Sequence, residues 1–88
     1  SPETEVVMSD IADRVKEITA ETLKIDKAKI TDDARFVEDL GAESVQSIEL
    51  VAAFEEAFEV ELDEDEALGV KTVGDAVTHL ERAIEEQG

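Results

Sequence analysis

The sequence predicts an all-α fold: a small helix bundle of three main helices and one short helix, with a long first loop. Three segments carry apolar residues at the three- and four-residue spacing of amphipathic helices. Between the first two segments lie about twenty residues that are rich in turn formers. The 88 residues are enough for one domain with a small core, which a bundle of this kind can bury.

The first helix is predicted to begin at Ser9, whose side chain can cap it, and to end at about Leu23. Its apolar positions are Ile11, Val15, Ile18, Thr22 and Leu23. Residues 1–8 are predicted to be a flexible lead, so that the helical domain spans residues 9–88. The first five residues are polar and acidic, unlike the basic and then apolar start of a signal peptide.

Residues 24–43 are predicted to form the long loop, because turn formers stand at position 26 and at 31–33. Apolar residues along the loop are expected to anchor it to the core. These anchors are Ile25, Ile30, Phe36 and Leu40.

The second helix is predicted from about Ser44 to Phe58. Leu50, Phe54 and Phe58 are spaced by four and form a core stripe with Val51 and Ala57 beside it. The apolar residues that lie off this stripe are Val45, Ile48 and Ala52.

A short third helix is predicted over residues 63–68, ended by Gly69. The last helix is predicted from Thr72 to about Glu86, and Thr72 with Asp75 has the form of a capping box. Its apolar face consists of Val73, Ala76, Val77, Leu80 and Ile84.

The net charge is −17, which opposes nucleic-acid binding because phosphate contacts need Lys and Arg. From Phe36 to Val70 the chain has twelve acidic residues and no Lys, Arg or His, and six of the eight basic residues precede Phe36. The twelve acids are Glu38, Asp39, Glu43, Glu49, Glu55, Glu56, Glu59, Glu61, Asp63, Glu64, Asp65 and Glu66. This acidic block is either a solvated surface or a docking face for basic partners.

The sequence lacks the residues that several kinds of functional site require. Without Cys there is no disulfide, thiolate zinc site or cysteine nucleophile, and the apolar runs are too short for membrane insertion. A calcium loop starting at Asp63 would need glycine and an acid where Leu68 and Gly74 stand, although clustered carboxylates could still hold a divalent cation weakly. A hydrolytic serine needs a nearby base, but the only His is His79 and no G-x-S-x-G motif is present. We therefore predict no catalytic and no metal-binding residue.

Residues 39–45, DLGAESV, place Ser44 where the loop becomes the second helix. Unpaired backbone N–H groups and the helix dipole favour an anion at such a position. This segment resembles the D-S-L attachment site of acyl carrier proteins, in which phosphopantetheine is esterified to the serine. The likeness covers about residues 9–85 and includes FVEDLGA (36–42), IELV (48–51), FEEAF (54–58) and KTVGDAV (71–77).

The resemblance implies a stand-alone, non-catalytic acyl carrier protein. A phosphopantetheinyl transferase would attach phosphopantetheine to Ser44, and its thiol would hold acyl intermediates as thioesters for fatty-acid or related lipid biosynthesis. The residues flanking the attachment site are Asp39, Leu40, Gly41, Glu43 and Val45. A cytoplasmic monomer is expected. Alternatives are carriage in another thioester pathway, by polyketide, specialised acyl-transfer or amino-acyl carriers, and an acidic structural interaction module.

The resemblance also implies a partner surface and an acyl pocket. Because Ser44 opens the acidic block, we favour the docking face, which would meet acyl-chain enzymes that have basic docking patches. The expected partner-binding residues are Glu43, Val45, Ile48, Glu49, Ala52, Glu55 and Glu56. The expected acyl-pocket residues are Leu50, Ala53, Phe54, Ala57 and Leu80. Glu43, Val45 and Ala52 replace the family's usual Asp, Leu and larger apolar residue, which suggests a specialised carrier.

Overall fold

The computed structural model describes residues 8–87, which form a bundle of three long helices and one short helix. The helices are α1 (Met8–Leu23), α2 (Ser44–Phe58), α3 (Glu64–Leu68) and α4 (Val73–Gln87). The first helix packs against both α4 and α2, and α3 packs against α2. The predicted all-α fold is confirmed. Residues 1–7 of the predicted lead lie outside the described residues, and Met8, its last residue, already belongs to α1.

The long loop between α1 and α2 contains a turn of 3-10 helix at Lys27–Lys29, which the sequence analysis did not predict. Asp26 caps this turn by accepting a hydrogen bond of 2.9 Å from the Ala28 N–H. Of the expected anchors, Ile30 and Phe36 are buried, and Ile25 and Leu40 are half-buried. Apolar burial therefore holds the loop against the helices.

Backbone hydrogen bonds join the same loop to the start of α4. The Phe36 N–H donates to the Lys71 carbonyl at 3.0 Å, and the Val73 N–H donates to the Ala34 carbonyl at 3.0 Å. The Gly74 N–H donates to the Asp32 carbonyl at 2.8 Å. These bonds fix the first turn of α4 beside the loop segment that leads into α2.

The core lies where the apolar faces of α1, α2 and α4 meet. Its most deeply buried side chains are Ile11, Leu80, Val15, Val73 and Thr19. Thr19 was not predicted to be buried because it is polar, and Ala34, Ala42 and Ala83 were not predicted because small residues add little to an apolar pattern. Thr22, which was assigned to the apolar face of α1, is only half-buried.

The connection from α2 to α3 is held by two side chains. The Glu55 carboxylate accepts a 2.8 Å hydrogen bond from the Leu62 N–H. The Gln87 amide accepts from the Glu61 N–H and donates to the Glu61 carbonyl, both at 2.7 Å. Asp63 then caps α3 by accepting from two backbone N–H groups, so the short helix begins one residue after its predicted start.

Candidate functional site at the start of α2

Ser44 is the first residue of α2, and its side chain is exposed. The residue that caps the helix is Glu43, with φ −89° and ψ 168°, and its N–H donates to the Gln46 side chain at 3.0 Å. The first intrahelical bond runs from the Ser47 N–H to the Glu43 carbonyl at 2.8 Å. The N–H groups of residues 44–46 therefore have no carbonyl partner within the helix, and they give this end of α2 partial positive charge.

The Ser44 hydroxyl forms no hydrogen bond with any other residue in the described part of the chain. A serine that only capped the helix would accept a bond from a backbone N–H of the first turn. Here Glu43 occupies the cap position and leaves the hydroxyl of Ser44 to the solvent. The side chain is therefore available for modification.

The residues before Ser44 position the start of α2 through the loop backbone. Asp39 accepts a 2.8 Å hydrogen bond from the Arg35 N–H and lies 3.5 Å from the Arg35 Nε. Gly41 adopts φ +75°, a left-handed conformation that glycine takes without strain. Ala42 is buried and donates from its N–H to the Phe36 carbonyl at 2.8 Å. The expected flanking residues thus shape the approach to Ser44.

A cavity of about 430 Å³, partly open to solvent, lies beside α2 and is bordered by the loop before α2, by α3 and by the first half of α4. Three of the expected pocket residues line it, namely Leu50, Phe54 and Leu80. Ala53 and Ala57 are not among its lining residues, because the lining face of α2 passes through Ser47, Leu50, Val51 and Phe54. The cavity has the size of pockets that hold small ligands, roughly 300–1,000 Å³.

The acidic block divides into two parts in the structure. Glu38 and Asp39 pair with Arg35, at 3.4 and 3.5 Å. None of the ten acids from Glu43 to Glu66 forms an ion pair within residues 8–87. The other ion pairs described lie in α1 and the long loop, where Lys16 meets Asp32 at 3.1 Å and Lys27 meets Asp13 at 2.7 Å. The surface of α2 and α3 therefore carries uncompensated negative charge.

Most of the expected partner-binding residues lie on the open surface of α2. Val45 and Ile48 expose 66% and 51% of their surface, which is unusual for large apolar side chains. The other exposed members of the set are Glu43, Glu49, Ala52 and Glu56. Glu55 differs, because it is half-buried and its carboxylate is bonded to the Leu62 N–H.

Twelve of the fifteen residues that line the cavity were not predicted as pocket residues, and four of them stand out. Val37 and Leu68 are exposed apolar residues at its edge, and Lys71 and His79 also line it. The loop and the short α3 offered no periodic pattern that could have marked Val37 and Leu68. Lys71 and His79 had one signal, since they are basic-type residues in a strongly acidic half of the chain.

Residues 8–87 offer neither a cluster of metal ligands nor a membrane-spanning helix. No three His, Asp or Glu side chains in that range come together in a way that could hold a metal ion. None of the described helices combines the length and apolarity needed to cross a bilayer.

The start of α2 fits a phosphodiester on Ser44. The hydroxyl is exposed, and the unpaired N–H groups and dipole of a 15-residue helix favour an anion, although the neighbouring Glu43 opposes it. A family model described as the phosphopantetheine attachment site matches residues 13–80, which is well over half of the chain. The matched range contains Ser44 and every residue that lines the cavity. Carrier domains of this kind carry phosphopantetheine covalently, generally do no catalysis themselves, and interact with phosphopantetheinyl transferases and biosynthetic enzymes. The chain therefore belongs to the phosphopantetheine attachment site family, consistent with the acyl carrier proteins that residues 39–45 resemble.

Proposed function

We propose that the protein is a stand-alone acyl carrier protein that receives phosphopantetheine on Ser44 and serves fatty-acid or related lipid biosynthesis. The observation that carries the proposal is the exposed, unbonded Ser44 hydroxyl at the first position of α2, inside the range that matches the family. When bound, the group supplies a terminal thiol that holds an acyl chain as a thioester. The proposed carrier domain begins with Met8, the first residue of α1, one residue before its predicted start at residue 9.

The chain's own contribution at Ser44 is to present the hydroxyl and to favour the anionic product. The hydroxyl has no hydrogen-bonded base within residues 8–87, so the transferase must remove its proton. The backbone N–H groups that open α2, together with its dipole, favour the negative charge of a phosphodiester formed on Ser44. The protein therefore acts as the substrate of the attachment reaction and not as its catalyst.

The acids on α2 are proposed to draw basic partner enzymes to Ser44. Ten acids between Glu43 and Glu66 have no ion-pair partner in the described structure, so their field extends into the solvent. Val45, Ile48 and Ala52 would supply the apolar centre of the contact, with Glu49 and Glu56 beside it. Steered contacts of this kind form quickly and can remain weak, which suits a carrier that visits several enzymes in the cytoplasm as a monomer.

The cavity beside α2 is proposed to shelter the acyl chain. Leu50, Phe54 and Leu80 present apolar surface to it, and each methylene moved out of water contributes about 0.8 kcal/mol. The carried chain would thus be protected between visits to enzymes. The chain would leave the cavity when a partner enzyme binds the form with the exposed chain more tightly than the form with the sheltered chain.

Replacement of Ser44 tests the attachment site. We expect Ser44→Ala to fold normally and to gain no mass after co-expression with a phosphopantetheinyl transferase. Because Glu43 caps α2, the loss of the Ser44 hydroxyl should change stability little. Intact-mass spectrometry reports the attached group, and circular dichroism reports the fold.

Ser47→Ala is the matched control, because Ser47 lies one turn further along α2. The wild type and the Ser47 variant should both gain one phosphopantetheine. A mass gain in the Ser44 variant would place the attachment elsewhere, and no gain in any form would favour the acidic structural module. The masses of thioesters isolated from cells would then separate fatty-acyl, polyketide and amino-acyl carriage.

A further inference from the structure

Two side chains with N–H donors line the cavity beside α2. From Phe36 to the end of the chain the only basic-type residues are Lys71, His79 and Arg82, and the first two both lie at this cavity. The rest of that half is strongly acidic. Together they place N–H donors at a cavity whose other lining residues are apolar except for Glu38 and Ser47.

Lys71 is held at the cavity by its backbone. Its carbonyl accepts the Phe36 N–H at 3.0 Å, and the Phe36 carbonyl accepts the Ala42 N–H at 2.8 Å. Ala42 stands two residues before Ser44, so these two bonds tie the Lys71 backbone to the loop segment that leads into the attachment site. His79 is half-buried on α4, where its neighbours Ala76 and Leu80 also line the cavity.

Neither side chain is engaged elsewhere. Within residues 8–87, Lys71 Nζ and the His79 ring take part in no hydrogen bond and no ion pair. A saturated chain that fills the cavity would displace water from the half-buried His79 ring, and its alkyl part, beyond the thioester carbonyl, would offer that ring no acceptor in return. Lys71 is exposed, so its ammonium keeps water and can reach a ligand oxygen only at the open side of the cavity. A donor that loses water without gaining a partner is destabilising, so sites with such groups favour ligands that supply an acceptor.

A neutral oxygen fits this cavity better than a carboxylate does. Glu38 also lines the cavity, and its own charge is matched by Arg35 at 3.4 Å. A carboxylate on the ligand would meet the Glu38 carboxylate as well as the Lys71 ammonium at the same cavity, so the repulsion would offset part of the attraction. A hydroxyl or keto oxygen would accept a hydrogen bond without that repulsion.

We propose that the cavity selects an acyl chain with a hydroxyl or keto oxygen near the thioester, bound by His79 and Lys71, over a saturated chain of equal length. The inference rests on the proposed function, because the acyl chain must be tethered at Ser44. His79 and Lys71 would be the residues that determine the choice of chain.

The test compares octanoyl and 3-hydroxyoctanoyl phosphopantetheine, each transferred to the full chain from the corresponding coenzyme A thioester. Both loaded forms should melt above the form that bears only the arm. In the wild type the hydroxylated chain should melt higher than the saturated chain by about 4–8 °C, the shift that one hydrogen bond produces in a small domain. Its loading should also shift the ring signals of His79 in NMR spectra, whereas octanoyl loading should shift them less.

A double variant, His79→Phe with Lys71→Met, should make the saturated chain the better stabiliser. Lys29→Met is the matched control, since Lys29 is exposed in the long loop, outside the cavity, and should keep the wild-type order. The inference would be overturned if the two loaded wild-type forms melted at the same temperature. It would also be overturned if octanoyl and 3-hydroxyoctanoyl loading shifted the His79 ring signals equally. Failure of Ser44 to gain any mass would instead overturn the proposed function, so the two failures are distinguishable.

Discussion

Thr19 is a polar residue buried in the apolar core. It is 0% exposed, and its hydroxyl has no hydrogen-bond partner in the described structure. It continues a row of buried residues spaced by four along α1, after Ile11 and Val15 and before Leu23. A buried hydroxyl without a partner is destabilising, since it has lost its water and gained nothing in return.

Thr19→Val should therefore stabilise the protein. Valine keeps the branched shape and removes the unpaired hydroxyl, so the free energy of unfolding should rise by about 1 kcal/mol. Thermal melting, followed by circular dichroism, should shift upward by about 4–8 °C in a domain of this size. Thr22→Val is the control, because Thr22 is only half-buried on the same helix and should change the melting temperature less. A lower melting temperature for the Thr19 variant would show that its hydroxyl has a partner in solution.

The residues of the site differed in how well the sequence predicted them. The position of Ser44 followed from local signals, namely a glycine-containing loop and the start of an amphipathic helix. The structural role of Asp39 could not be predicted from the sequence. Its carboxylate accepts a hydrogen bond from the backbone N–H of Arg35, and nothing in the sequence distinguishes it from a loop carboxylate without such a partner. His79 was assigned no role for a similar reason: only the folded chain shows that it faces the same cavity as Leu50.

Among the elements, α2 combines two surfaces. Its inner face packs Leu50 and Phe54 against the core and the cavity, while its outer face exposes Val45 and Ile48 among unpaired acids. The sequence pattern predicted both faces and the helix bounds, because α2 is long and strongly periodic. It did not predict the bonds between the long loop and α4, since Phe36 and Lys71 are far apart in sequence.

Reversing charges on the outer face of α2 should slow the attachment of phosphopantetheine. We expect Glu49→Lys and Glu56→Lys each to lower the transfer rate at low salt by about tenfold, within the range that electrostatic steering provides. The wild-type rate should also fall as salt rises from about 0.01 M to 1 M, because the screening length shrinks from about 30 Å to 3 Å. Initial rates measured by mass spectrometry report both effects.

Glu85→Lys provides the matched control for these charge reversals. Glu85 is exposed near the end of α4, far from Ser44, since Gln87 contacts Glu61 beyond the opposite end of α2. That variant should transfer at nearly the wild-type rate. Transfer rates that change neither with salt nor with the two charge reversals on α2 would rule out the docking face. The acids would then be only a solvated surface.

At the scale of the whole molecule, charge is distributed unequally between two sides. The ion pairs described within residues 8–87 join α1 to the long loop or lie within the loop, and the hydrogen bond that Lys27 donates to the Asp13 carboxylate raises the pKa of Lys27. The side formed by α2 and α3 has acids without cations. A net charge of −17 on a chain of 88 residues destabilises the compact state through self-repulsion. The fold therefore tolerates a repulsive surface beside the proposed attachment site.

Salt should consequently have opposite effects on stability and on attachment. The melting temperature should rise with sodium chloride, because screening weakens the repulsion among the acids of α2 and α3. Glu49→Gln combined with Glu56→Gln should raise the melting temperature at low salt and flatten its salt dependence, since both acids are exposed and unpaired. Asp13→Asn is the control, because it also removes a negative charge, but from a carboxylate that lies 2.7 Å from the Lys27 ammonium. It should therefore not stabilise the protein. If the double variant melts no higher than the wild type at low salt, the acids do not strain the fold. If it melts higher but attaches phosphopantetheine more slowly, the same charges that weaken the fold are the ones that attract the partner.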